Sequence, residues 1–359
     1  MNPALKYLYH KVIDSPKRWR PFLAVYYLTY QCDFRCPYCS NGFGKPYHHL
    51  SQEVLPAGAV SEILTRIRRS CDYIVITGGE PLKYPDFGEV MRQVKELRFR
   101  DVALNTNGYD VERYLPQIAD SVHTLIFSLD TLDEGKADQW FGIGRGAFRK
   151  ICSNIMQAAR LPRKKYRIVL SSVVTPRNIP DLYAVYDFAQ INGFTFAACP
   201  ELRGVKPPPE LPGNGAYKDF FDFLVSEKKK GRAIHGTMPY LRHMRDFIRF
   251  SCRPFTMLVV DPLGQVFYPC LEIGHVAGNI LECEDLHALR EHGRKYFGPQ
   301  LECDTRCHSA CALGFSLILH HPLSLAQELF LMSKNSVTRR CIDARIVRRE
   351  FSEGKGAQS

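Results

Sequence analysis

From Phe22 to Leu202 the chain alternates short runs rich in β-branched and aromatic residues with helix-length stretches, and few folds accommodate that rhythm. Strands are expected at Leu23–Leu28, Tyr73–Thr77, Val102–Asn105, Thr124–Leu129, Arg167–Val174 and Phe194–Ala198. Helices are expected at Ala57–Arg69, Asp86–Leu97, Ala147–Ala159 and Asp181–Ile191. Repeated strand–helix units build a parallel sheet covered by helices. Six units fall short of a closed eight-stranded barrel, so the expected fold is α/β, a partial (β/α)6 parallel barrel. The Pro-rich stretch Val205–Pro212 marks its end. The division expected is 1–21 as a basic, aromatic extension with helical spacing at Leu5, Leu8 and Val12, and 22–205 as the barrel core. A helical connector at 206–250, a small cysteine-rich C-terminal auxiliary domain at 251–312 and a helical, basic tail at 313–359 complete it.

The 13 cysteines are many for 359 residues. Their odd number, and the lack of an apolar signal stretch after Met1, argue for metal-bound thiolates in a reducing cytosol rather than disulfides. The formal charge of +11 invites nucleic acid, an anionic membrane surface or acidic small molecules, or simply reflects a solvated surface. Much of the excess lies at Lys6, Lys11, Lys17, Arg18 and Arg20 and at Arg339, Arg340, Arg345, Arg348 and Arg349. The longest apolar stretch, Ala312 to Met332, is interrupted by His320, His321 and Pro322 and does not read as a membrane span. A cytoplasmic protein is expected, with peripheral membrane contact as a second option.

Cys32, Cys36 and Cys39 form C-x3-C-x2-C directly after the first strand. Three thiolates on one loop can hold three irons of a four-iron cube and leave the fourth iron free to chelate a substrate. A structural zinc site with His48 or His49 as fourth ligand is the competing reading. Thr77-Gly78-Gly79-Glu80-Pro81 ends the second strand, where glycines permit close backbone approach and Glu80 supplies negative charge. Asn105-Thr106-Asn107-Gly108 ends the third strand and Ser128-Leu129-Asp130 the fourth, which is where parallel sheets gather their ligand sites. Ser171, Ser172 and Thr175 on the fifth extend that rim.

Taken together, the cysteine loop and the Gly-Gly-Glu-Pro segment resemble the radical S-adenosylmethionine superfamily over roughly Phe22 to Leu202. The resemblance implies a [4Fe–4S] cluster on Cys32, Cys36 and Cys39, with Tyr38 packing near the adenine of S-adenosylmethionine. It further implies that Gly78, Gly79, Glu80 and Pro81 receive the methionine ammonium, and that Asn105, Thr106, Asn107, Ser128 and Asp130 face the ribose and carboxylate. Reductive cleavage to a 5′-deoxyadenosyl radical is the implied chemistry, fed by an electron donor such as a flavodoxin or ferredoxin. One departure is visible: many relatives carry an Arg-Gly pair after strand four, whereas here Gln139 to Phe148 keeps the glycines and displaces the arginine to Arg145.

A second group, Cys252, Cys270, Cys303, Cys307 and Cys311, crowds the C-terminal third around a hairpin signal at Asp261–Gly264. The last three recur every four residues, about 40° per step on a helix, and so share a face. The group looks like the SPASM or twitch auxiliary domain, which implies a second, auxiliary [4Fe–4S] cluster. Cys283 and Cys341 are substitutes, a zinc site is the alternative, and Cys71, Cys152 and Cys199 read as small core residues. The functional expectation is a radical enzyme acting on a peptide or small metabolite. The rivals are the same chemistry on a membrane lipid, and a non-enzymatic iron–sulfur or zinc protein that binds nucleic acid.

Overall fold

A computed structural model describes residues 7–13, 19–40, 44–204, 206–299, 307–321 and 323. Six parallel strands, β1 (Leu23–Thr29), β2 (Tyr73–Gly78), β3 (Asp101–Thr106), β4 (Thr124–Ser128), β5 (Arg167–Val174) and β6 (Thr195–Pro200), lie side by side in chain order. Each crossover moves one place in the same direction, so the right-handed rule puts every connecting helix on one face. Those helices include α1 (Ala57–Ser70), α2 (Phe87–Leu97), α3 (Leu115–Ser121), α4 (Glu134–Phe141), α5 (Ala147–Arg160) and α6 (Ile179–Ile191). The result is the open, partly closed barrel expected, with strand and helix bounds within about two residues of those read from the periodicity.

Two faces of the sheet follow from the period of two along each strand. On β1, Ala24, Tyr26 and Leu28 are buried under the helices, while Val25 and Tyr27 stand half-exposed on the opposite, inner face. The matching surface of α1 is Val60, Ile63, Leu64 and Ile67, spaced as one helical stripe and buried. Thr77, Asn105, Ser128 and Ser171 continue the half-exposed inner face near the strand ends. Ser128 stands opposite Ser171 in register, and Asn105 Nδ2 donates to Thr77 Oγ1 at 3.4 Å. Apolar at depth and polar at the rim, this inner face is the only one left for a polar ligand by six strands whose other face is core.

The cysteine-rich hairpin is not set apart from the barrel. β7 (Met257–Val260) runs parallel to β1, with Ala24 opposite Leu258 and Tyr26 opposite Val260. β8 (Gln265–Tyr268) and β9 (His275–Asn279) follow antiparallel, giving one nine-stranded sheet. The β7–β8 turn is built by Asp261, whose Oδ1 accepts from Leu263 N and Gln265 N, and by Gly264 at φ +82°. Helices α7 (Gly215–Lys229) and α8 (Met238–Asp246) form the connector, α9 (Leu286–Phe297) packs on β9, and α10 (Ala310–His320) carries Cys311. Phe315 of α10 stacks on Phe22 at 5.8 Å, and Ser316 Oγ accepts from Arg253 N, tying this helix to the start of β1.

In the N-terminal extension, helical spacing appears around Tyr9–Ile13, but Tyr9 and His10 are the buried pair while Leu8 and Val12 face outward. Leu5, Cys303, Cys341 and most of the basic tail lie outside the described residues. Among the described residues, no helix is long and apolar enough to cross a membrane.

Candidate active site

Strand β1 delivers the chain directly into the cysteine loop, and its exit is clasped by the exit of β2. Gly79 N donates to Thr29 O at 2.7 Å and Glu80 N donates to Gln31 O at 2.7 Å. A Cβ on Gly79 would lie 2.5 Å from the carbonyl oxygens of both Tyr30 and Gln31, so only glycine fits. A Cβ on Gly78 would meet Thr29 O at 2.2 Å. The glycines therefore serve, first of all, to seat the base of the cysteine loop on the sheet.

Glu80 is buried, and its carboxylate is directed into the protein. It accepts from Thr106 Oγ1 at 2.8 Å, Asn107 N at 2.6 Å and Leu82 N at 3.1 Å, the last capping the turn Pro81–Lys83 in which Pro81 is buried. Burial pushes its pKa up to about 7 against the pull of those three donors. This corrects the expectation that its side chain meets an ammonium group: the carboxylate is already committed to fastening the ends of β2 and β3. Thr106 is corrected with it, since the strand alternation turns it away from the inner face and onto Glu80. Asn107 turns its side chain toward Asp33 Oδ1 at 3.3 Å, beside the Lys83 ammonium, which lies 2.8 Å from both Asp33 and Asp110.

The loop itself is fixed at both ends. Cys39 N donates to Cys36 O at 3.1 Å, Arg35 N to Phe141 O at 2.9 Å, and Phe34 stacks on Phe141 at 4.4 Å. Tyr38 packs edge-on against Trp140 at 5.8 Å, and its hydroxyl donates to Asp130 Oδ2. Asp130 Oδ1 accepts from Val173 N at 2.6 Å, while burial raises its pKa to about 6. Asp130 thus ties the cysteine loop to β5 and leaves less of itself for a ribose than expected. Buried Asn178, which the sequence reading missed, donates to Asp130 O and Val173 O and accepts from Thr175 N, knitting the ends of β4 and β5.

The donor set suits a thiolate-bound cluster. None of the described cysteines is in a disulfide. Burial pushes the thiol of Cys32 up to about 12 and that of Cys39 up to about 11, and raises Cys36 also, so metal must displace a proton at each. The Phe34 N–H draws the Cys32 thiol back toward its ordinary range, against the effect of burial. In the second group, Cys270 Sγ accepts the backbone N–H groups of Glu272 and Ile273, and Cys307 Sγ accepts Ser309 N at 3.5 Å. Amide donors aimed at sulfur stabilise thiolate and tune iron–sulfur potentials. Among the described residues no three Cys, His, Asp or Glu side chains converge on a point that one ion would fill, His48 and His49 included.

Electrostatic neighbours show how the two groups relate. Cys252, Cys270 and Cys307 lie within electrostatic reach of one another without converging on a single point. Cys311 is sensed by Cys199, and Cys199 in turn feels Asp130. Tyr47 feels Cys39 on one side and Glu272 on the other, and Glu272 also reaches Cys270, Cys307 and Cys311. Electrostatic links thus run from the first cysteine loop through Tyr47 toward the second cysteine group. Cys199 is a correction: at the end of β6 it is half-buried on the inner face, not in the core. Cys71 is buried as expected. Cys283 donates to Ile280 O at 3.4 Å beside Arg66.

The chain thus forms an open parallel barrel whose first strand runs into a three-cysteine loop, clasped by a Gly-Gly-Glu-Pro strand end. Residues 26–186, somewhat under half of the chain, match the model of the radical SAM superfamily, a family that uses a [4Fe–4S] cluster and S-adenosylmethionine. Among curated proteins it is similar to molybdenum cofactor biosynthesis protein 1 of Bos taurus, 32% identical over 41% of this chain and 23% of that one. It is likewise similar to GTP 3',8-cyclase of Lactiplantibacillus plantarum, 29% identical over 44% of this chain and 47% of that one. The chain thus spans half or less of these relatives' length. Among solved structures it shares its fold with Streptococcus suis SuiB bound to the precursor peptide SuiA, at TM-score 0.63 and 17% identity over 84% of this chain and 70% of that one. It also shares it with anSMEcpe bound to AdoMet and the Cp18Cys peptide, at TM-score 0.57 and 17% identity over 88% and 99%.

Proposed function

We propose that the chain cleaves S-adenosylmethionine reductively at the Cys32/Cys36/Cys39 loop and uses the resulting radical to modify a peptide or small metabolite. The observation that carries this reading is the clasp of Gly79 and Glu80 onto Thr29 and Gln31, which seats a three-thiol loop at the polar rim of an open barrel. When bound, the reduced cluster and S-adenosylmethionine supply a 5′-deoxyadenosyl radical able to take a hydrogen atom from carbon or to add to C=C.

The chain's own residues position and shield. The backbone at 78–80 and the polar layer of Thr77, Asn105, Ser128 and Ser171 receive the methionine and ribose groups. Tyr38, held by Asp130 and flanked by Trp140, offers its ring to the adenine. Cys252, Cys270, Cys307 and Cys311, with Cys303 outside the described residues, hold an auxiliary cluster across the crevice. A flavodoxin or ferredoxin serves as reductant. Relatives named for a nucleotide cyclase and fold neighbours bound to peptides support small-metabolite and peptide substrates respectively.

The test is anaerobic reconstitution with iron and sulfide, followed by dithionite and S-adenosylmethionine. 5′-Deoxyadenosine should form, and should vanish in the Cys32→Ala, Cys36→Ala and Cys39→Ala variants. A fully loaded wild type that forms none would overturn the reading.

A further inference from the structure

The strand starts, at the end of the sheet opposite the cysteine loop, carry a charge that the proposed chemistry does not use. Arg98 and Arg100 lie between α2 and β3, and Arg160, Arg163, Lys165 and Arg167 run from the end of α5 to the start of β5. Backbone bonds stitch these segments side by side. Arg100 N donates to Asp72 O at 2.8 Å, His123 N to Val102 O at 2.8 Å and Arg167 N to His123 O at 3.0 Å. All six basic residues are exposed, and among the described residues none of their side chains makes an ion pair or a hydrogen bond. Of the carboxylates flanking these segments, Asp72 is paired with Arg68 at 2.7 Å and Asp120 with Lys95 at 2.9 Å, which leaves Glu96 and Asp101 against six cations.

Two of these arginines hold the chain in the left-handed region, Arg98 at φ 51° and Arg163 at φ 58°, out of three non-glycine residues that do so among those described. Glycine would take that conformation without steric cost, so arginine strains the backbone there and keeps a charge in place. Ile191, 82% exposed, ends α6 at the same end of the sheet, since β6 starts at Thr195 opposite Val169, two residues after Arg167. Arginine forks match phosphate bidentately, so the complementary surface is rich in phosphate. Phe99 and Tyr166, the rings within these segments, are buried and offer no face for base stacking, and the cations sit on loops at a sheet end rather than on a helix that enters a groove. A bilayer of anionic phospholipid satisfies both features, its headgroups meeting the arginines and its interface taking the isoleucine.

We propose that this end of the sheet docks on an anionic phospholipid surface through Arg98, Arg100, Arg160, Arg163, Lys165 and Arg167, with Ile191 as its apolar contact. Strands of about six residues separate it from the cysteine loop by roughly 20 Å. Docking therefore leaves that loop facing the aqueous side, open to a peptide or small metabolite. The proposal stands independently of the S-adenosylmethionine chemistry.

The experiment is co-sedimentation of anaerobically reconstituted full-length protein with vesicles of phosphatidylcholine alone, and with vesicles of equal parts phosphatidylcholine and phosphatidylserine. Wild type should bind only the mixed vesicles, and more weakly as salt rises. Each basic residue removed from such a contact lowers affinity about fivefold. The double variant Arg98→Gly with Arg163→Gly should therefore bind at least about tenfold more weakly, yet melt no lower than wild type, because glycine relieves both left-handed positions. Adding Arg100→Ser and Arg167→Ser should lower affinity at least about a hundredfold. Ile191→Ser alone should lower it a few-fold, with iron content and circular dichroism unchanged in every variant. Failure of wild type to bind the mixed vesicles, or undiminished binding by the folded double and quadruple variants, would overturn the proposal. So would tighter binding of a single-stranded RNA oligomer that is lost in the same variants, which would assign this face to nucleic acid instead.

Discussion

Glu80 shows how a residue can be picked out correctly by its motif and still do something other than its charge suggests. Its burial outweighs three hydrogen bonds, so the folded protein holds its proton more tightly than the unfolded chain, at about 7 against an ordinary 4.5. The sign follows: the stability contributed through this proton is present below about 4.5 and is lost as pH rises through about 7. Glu80→Gln cannot titrate and brings an amide against donors, so it should be less stable by about 1–3 kcal/mol. Denaturant titrations at pH 5 and pH 7.5 should show wild type losing part of its advantage over Glu80→Gln at the higher pH. A gap that stays constant would mean that the carboxylate is ionised throughout. Nothing in the sequence could have revealed this, because the three donors come from 82, 106 and 107, brought together only when β2 and β3 pair. Asn178 was invisible for the same reason, since its partners on β4 and β5 meet it only in the folded sheet.

At the level of elements, the parallel strands were legible because each is a short β-branched run with turn chemistry at its end, and α1 because its apolar stripe has a helical period. What the periodicity could not provide was the face of β6. Ala197 and Ala198 are both buried, so the alternation that would have turned Cys199 toward the crevice is masked. Nor could it reveal that β7 pairs with β1, since parallel partners far apart in sequence carry no local signal. The glycine pair at the end of β2 was read as room for a ligand, whereas its tightest neighbours are backbone atoms of the chain's own β1 exit. Gly79→Ala should therefore lower thermal stability by about 1–3 kcal/mol or more by overpacking, and should reduce iron uptake. Gly58→Ala, in a helix with nothing within 4 Å of the added methyl, should be neutral or stabilising by up to about 1 kcal/mol. Calorimetric midpoints and iron content of the pair provide the check.

For the molecule as a whole, the proposal of a cluster on each cysteine group predicts roughly eight irons per chain, two cubes' worth. Cys270→Ala should lose about half the iron yet still form 5′-deoxyadenosine with dithionite, while product from the true substrate collapses. Circular dichroism must first show the variant folded, because metal binding and folding are coupled. Normal turnover in a folded variant would show Cys270 to be dispensable. The parallel pairing of β7 with β1 carries a mechanical consequence. Cys270, directly after β8, and the Cys32/Cys36/Cys39 loop, directly after β1, hang from one continuous hydrogen-bonded sheet. The gap an electron must cross is then set by the width of a few strands, much as the spacing of two pegs is set by a single plank. Electron passage across the crevice should accordingly be indifferent to solvent viscosity, and only the arrival of substrate should feel it.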